Sequence, residues 1–141
     1  TECVSRYGVL RGIHYPLPPN AQSKWVRVVC GKVMDVAVDI RRGSPTFAKY
    51  VAAELSDQNK RQLFIPRGFA HGFVVLSEEA VVQYKCDNYY APRSEGSVIW
   101  NDTDIGIKWG IPAREIILSD KDLTNPPLAD ALTFDYEEIL Y

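Results

Sequence analysis

Histidine is nearly absent from this 141-residue chain, which contains only His14 and His71. With so few imidazoles and no His-x-His pair, a mononuclear metal site on a β-barrel is not expected, because such a site needs three or four histidine and carboxylate ligands held together. Cysteine is scarce as well. Cys3, Cys30 and Cys86 are odd in number, far apart and without Cys-x-x-Cys spacing, so neither a disulfide framework nor a zinc site is expected, and a reducing cytoplasm fits best. No apolar run approaches the roughly 18 residues of a membrane-spanning helix, and no basic stretch leads into an apolar signal core, so a soluble chain without a membrane partner is expected. An excess of basic residues is also missing. Sixteen Lys and Arg against 18 Asp and Glu leave a net charge of -2, which argues against a nucleic-acid surface but not against a local basic pocket.

What the chain does have is apolar residue in quantity, 46% against 24% charged, enough for one globular domain with a real core and too little length for a second. Its pattern is that of strands. Lys24 to Cys30 and Val33 to Ile40 are β-branched runs separated by Gly31-Lys32 and read as a hairpin. Arg41 to Pro45 is a turn, Phe47 to Leu55 a further strand, and Ser56 to Lys60 breaks it. Gln62–Ile65, Phe73–Leu76, Val81–Cys86 and Ser97–Trp100 follow at short intervals, while Leu128 to Tyr141 has spacings that a short terminal helix accepts. Many short strands with Gly and Pro turns predict an all-β sandwich or barrel of jelly-roll type with a short C-terminal helical tail.

Both histidines stand where a β-rich run meets a glycine turn, in Arg11-Gly12-Ile13-His14-Tyr15 and in Pro66-Arg67-Gly68-Phe69-Ala70-His71-Gly72-Phe73. Histidine changes charge near neutrality, so this placement suggests proton transfer or anion binding. Arg11, His14, Lys24, His71, Tyr84 and Lys85 all lie on or beside apolar strands, and burying such groups unpartnered costs several kcal/mol each. They are expected to meet one another or a ligand at a barrel mouth. Tyr84 shares a strand face with Val82 and Cys86, and Lys85 shares the opposite face with Val81 and Gln83; Tyr84 is taken as the inward one.

The blocks Gly8 to Tyr15, Lys24 to Arg42, Ile65 to Phe73, Tyr84 to Pro92 and Leu118-Ser119-Asp120-Lys121-Asp122 together resemble the dTDP-4-dehydrorhamnose 3,5-epimerase family, in order, from about Gly8 to Leu128. The resemblance implies a cupin-type jelly roll, a homodimer, no cofactor, and a dTDP-4-keto-6-deoxyhexose substrate on the route to activated L-rhamnose or a related deoxysugar.

By motif match it also implies roles. His14 is the base, oriented by Asp122, with Asp120 the local competitor; Lys24 stabilises the enolate; Tyr84 is the acid on the opposite face of the sugar. Arg11 and Lys121 match the diphosphate region, His71 the second site histidine, Tyr90 the aromatic that stacks on thymine, with Tyr89 as fallback, and Glu95 a nucleotide contact. Family members usually carry an additional N-terminal segment that reaches into the partner subunit's site, and this chain is expected to lack it. Thr1 falls where the family often has a substrate-contacting asparagine, and Pro16 replaces a frequent glutamine. The alternatives are a relative that epimerises a single centre or isomerises a keto-sugar, a non-catalytic sugar-nucleotide-binding cupin and, least favoured, a metal-dependent cupin oxygenase.

Overall fold

Two sheets face each other across the interior in the computed structural model, which describes residues 1–141 apart from the side chain of Pro92. The strands are β1 (Glu2–Arg6), β2 (Leu10–Pro16), β3 (Lys24–Cys30), β4 (Lys32–Asp39), β5 (Arg41–Arg42), β6 (Tyr50–Ser56), β7 (Gln62–Ile65), β8 (Phe69–Val75), β9 (Glu79–Cys86), β10 (Glu95–Ser97) and β11 (Phe134–Asp135). A four-stranded sheet runs β1-β9-β3-β7, a five-stranded sheet runs β10-β2-β8-β4-β6, and β5 pairs with β11 in a small parallel ribbon. This is the all-β jelly roll that the strand spacing predicts.

The expected hairpin between Lys24–Cys30 and the following run does not form. The first strand pairs with β7 and β9 and the second with β6 and β8, so the chain turns from one sheet to the other at Gly31. One linking residue, at φ +83°, is too short for the two-residue loop a tight hairpin needs and suits a corner. The burial of the two strands explains the split. In β3 the apolar residues alternate with exposed ones, as on a sheet with one wet face, whereas β4 is buried on both faces from Asp35 to Asp39.

Those two faces serve two cores. Val33 and Ala37 pack between the sheets with Val26, Val28, Leu55, Ile65, Phe73, Val75, Ala80 and Val82. Val36 and Val38 face the other way, onto a cluster with Leu10, Ile13, Tyr15, Val98, Trp109, Leu128 and Phe134. The C-terminal third is therefore a cover over the back of the five-stranded sheet. Each fully buried Val, Ile or Leu in these clusters contributes about 1.5–3 kcal/mol.

The tail is not helical, contrary to the sequence expectation. It makes a short 3₁₀ turn at Leu128–Asp130 and then lays β11 alongside β5. The Phe134 amide donates to the Ile40 carbonyl and the Tyr136 amide to that of Arg42, while the Phe134 ring is buried against Tyr15 at 5.8 Å. A helix of this length is marginal by itself, so strand pairing and ring burial prevail. The single α-helix among the described residues, α1, covers Asp120–Leu123. The strand expected at Phe47–Leu55 starts three residues later, at Tyr50, after a turn, and that expected at Ser97–Trp100 is displaced to Glu95–Ser97.

Candidate active site

Between the sheets the apolar core fills one end, and at the other a cavity of about 910 Å³ opens. The two walls bring different chemistry. On the five-stranded wall, β2 meets β8 with a bulge between Arg11 and His14, which leaves His14 paired with His71. Gly12 makes the bulge possible. Its φ is +126°, and a Cβ there would come within 2.7 Å of the Gly72 Cα and 2.8 Å of the His71 carbonyl oxygen.

The bulge turns the Gly12 amide to Asp122, donating to Oδ2 at 3.2 Å, while His14 Nε2 lies 2.8 Å from Asp122 Oδ1. Asp122 is held in turn by α1, whose N-cap Ser119 accepts from the Asp122 amide at 3.2 Å, and by Asn125. Burial pushes the Asp122 carboxyl up, but the His14 hydrogen bond and charge, the Gly12 amide and Asn125 together hold it below the usual carboxylate range. With Nε2 committed to Asp122, the nitrogen left for chemistry is His14 Nδ1, which is buried without a hydrogen-bond partner and lies 3.4 Å from Glu95 Oε1. Asp120, the sequence competitor, is exposed.

On the four-stranded wall, Lys24 of β3 and Tyr84 of β9 point inward. Tyr84 packs on the inter-sheet core with Val82, whereas Lys85 pairs with exposed Trp25 towards the outer face and only borders the cavity rim. Burial pushes the Tyr84 phenol up, reinforced by Cys86, Cys3 and Tyr90 and opposed by Arg11. Lys24 is shifted the other way. Burial lowers its pKa, partly offset by Cys86, Glu95 and Asp35, and its ammonium stands 5.8 Å from the Tyr84 ring centre.

The mouth is ringed by Arg11, Lys121, Glu95, Tyr89 and Tyr90. Lys121 Nζ donates to Glu95 Oε2 at 2.9 Å, and Arg11 Nε donates to Ser5 Oγ at 3.2 Å. Tyr89 and Tyr90 are both exposed, two aromatic faces open to solvent beside the cavity. Apart from Asp120, the residues singled out in the sequence thus border one space, and Thr1 borders it too. Among the described residues, no three His, Cys, Asp or Glu side chains converge as metal ligands would.

Sequence reasoning missed Asp35. It lies on the inward face of β4 between Val33 and Ala37, fully buried, with Oδ1 2.5 Å from His71 Nε2. The one hint in the sequence is its period-two register with Val33 and Ala37, which tells only once that face is known to point inward.

The model of the family described as dTDP-4-dehydrorhamnose 3,5-epimerase matches residues 1–130. The chain belongs to that family. The dTDP-4-dehydrorhamnose 3,5-epimerase of Salmonella typhimurium is 56% identical over 129 residues, which are 91% of this chain and 69% of that protein. The structure of the enzyme of that name from Elizabethkingia anophelis superposes with a TM-score of 0.91 at 54% identity, covering 92% of this chain and 71% of the other. An epimerase from Legionella pneumophila, solved with dTDP-4-keto-L-rhamnose, matches at a TM-score of 0.93 and 45% identity, with 98% and 74% coverage. The chain therefore spans about seven-tenths of these epimerases, and its cavity lies within the matched part.

Proposed function

We propose that this chain converts dTDP-4-dehydro-6-deoxy-D-glucose into dTDP-4-dehydro-L-rhamnose by epimerisation at C3 and C5, as a step of dTDP-L-rhamnose biosynthesis. One arrangement carries the reading: a His–Asp pair on one wall of the cavity and a phenol on the other, with a half-buried lysine beside the phenol.

The chemistry follows from the substrate. The hydrogens on C3 and C5 both lie alpha to the C4 ketone, which acidifies them. His14 Nδ1 removes one of them while Asp122 fixes the tautomer and stabilises the imidazolium that forms. The Lys24 ammonium stabilises the enolate oxygen from a fixed, half-buried position. Tyr84 returns a proton from the opposite face, inverting the centre, and its elevated pKa keeps the phenol protonated throughout the neutral range. His14 gives up its proton to solvent and Tyr84 regains one from it, so one site serves both carbons in turn.

Binding is divided along the cavity. Arg11 and Lys121 neutralise the diphosphate locally on a chain that is acidic overall, Tyr90 stacks on the thymine, Glu95 contacts the nucleotide, and His71 supports the enolate region. The exposed Val4, Trp25, Val29 and Phe64 on the outer face of the four-stranded sheet support a homodimer. Three free thiols support a cytoplasmic location, and no helix is long and apolar enough to cross a membrane.

The test is NMR of the dTDP-4-keto-6-deoxyglucose substrate with this protein in deuterated water, following C3 and C5 separately. Deuterium at both carbons with formation of the L-rhamno product is expected. Exchange at one carbon alone leaves a single-centre epimerase, and exchange at neither, with nucleotide still bound, leaves a binding protein.

A further inference from the structure

Asp35 differs from the other buried carboxylates in what it holds together. Asp39 accepts from the Arg41 amide and guanidinium and from the Ser44 and Thr46 hydroxyls, tying down a turn. Asp102 accepts from the amides of Asp104, Ile105 and Leu128 and closes a loop. Asp35 ties down no loop. It sits in the middle of β4 with no solvent exposure, its Oδ1 meets only His71 Nε2, and its Oδ2 is buried without a partner. A buried carboxylate left half-satisfied costs several kcal/mol, and its neighbours on the same face, Val33 and Ala37, show that the core takes apolar residues there. The fold gains little from it, whereas the cavity gains a fixed imidazole.

We infer that Asp35 is a positioning residue for the proposed epimerisation, holding His71 with Nε2–H turned into the barrel wall so that Nδ1 faces the substrate. This rests on the epimerase reading above. Two His–Asp pairs then flank the site on neighbouring strands. His14 is set by Asp122 and His71 by Asp35, and the two rings are cross-strand partners between β2 and β8. The division of labour follows from what surrounds them. Asp122 is satisfied by three donors, while Asp35 keeps a bare oxygen whose charge also acts on Lys24, opposing the loss of that ammonium's proton to burial. Asp35 thus supports the enolate-stabilising side of the cavity without touching the sugar, much as an outer carboxylate orients an imidazole in other sites.

The chain's two histidines make the test clean. Long-range ¹H–¹⁵N spectra of the wild-type protein, assigned with His14→Ala, are expected to show His71 protonated at Nε2. Asp35→Asn is expected to abolish that preference and lower kcat by about 10- to 100-fold, with KM changed less than about threefold. His71 unprotonated at Nε2 in the wild type overturns the inference, and that spectrum decides even if the variant does not fold. A folded Asp35→Asn with wild-type kcat overturns it as well, while the epimerase reading stands. A wild-type protein that exchanges neither C3 nor C5 overturns the epimerase reading and, with it, the catalytic part of this one.

Discussion

At the scale of single residues, the site works by pushing its titratable groups in opposite directions. Asp122 is held down, Tyr84 is held up, and Lys24 is lowered by burial although Cys86, Glu95 and Asp35 oppose the shift. A pH consequence follows with a definite sign. Burial raises Tyr84 from its ordinary 10.0 and lowers Lys24 from its ordinary 10.5, so loss of the Lys24 ammonium is expected to contribute to the alkaline limb of kcat/KM. In Lys24→Arg the residual activity is expected to keep its plateau to higher pH, because a guanidinium does not deprotonate in that range. A limb that stays in place in the variant would assign it to another group. The positions of His14, Lys24, Tyr84 and Asp122 were readable because each sits in a multi-residue block in register with the family. Asp35 was not, because a carboxylate within Val33 to Ile40 looks like a strand's solvent-facing residue until the strand is known to be buried on both faces.

At the scale of elements, the placement of the groups proposed to be catalytic depends on close backbone packing around β2. On one side lies the Gly12 bulge. On the other, β10 pairs with β2 so that Gly96 faces Tyr15 and Ser97 faces His14. A Cβ on Gly96 would come within 2.3 Å of the buried Tyr15 ring, whose hydroxyl donates to the Leu132 carbonyl and so cannot readily swing away. Gly96→Ala is expected to cost about 1–3 kcal/mol, seen as a lower urea midpoint, and to reduce activity by displacing Glu95. An unchanged midpoint would mean that the β2–β10 pair yields more easily than its packing implies. The two misread elements have a common cause. The Gly31 corner and the tail both depend on partners distant in sequence. β3 finds β9 and β7, and β11 finds β5, which local spacing does not encode.

At the scale of the molecule, the outer face of the four-stranded sheet is the surface on which the proposed homodimer is tested. Trp25 and Phe64 pack edge to face at 5.9 Å on the outside of the four-stranded sheet, with Val4 and Val29 on the same side. With a second copy on this face, light scattering at micromolar concentration is expected to give twice the chain mass, and Trp25→Arg with Phe64→Glu is expected to give the monomer. A wild-type monomer would refute the dimer.

In the proposed epimerisation, protons leave on the His14 wall and return from the Tyr84 wall. This is tested most directly by incubating Tyr84→Phe and His14→Ala with the 4-keto substrate in deuterated water and following C3 and C5 by NMR. Tyr84→Phe is expected still to exchange hydrogen for deuterium but to yield little inverted product, while His14→Ala is expected to do neither. Inverted product from Tyr84→Phe at the wild-type rate, or exchange by His14→Ala, would contradict it.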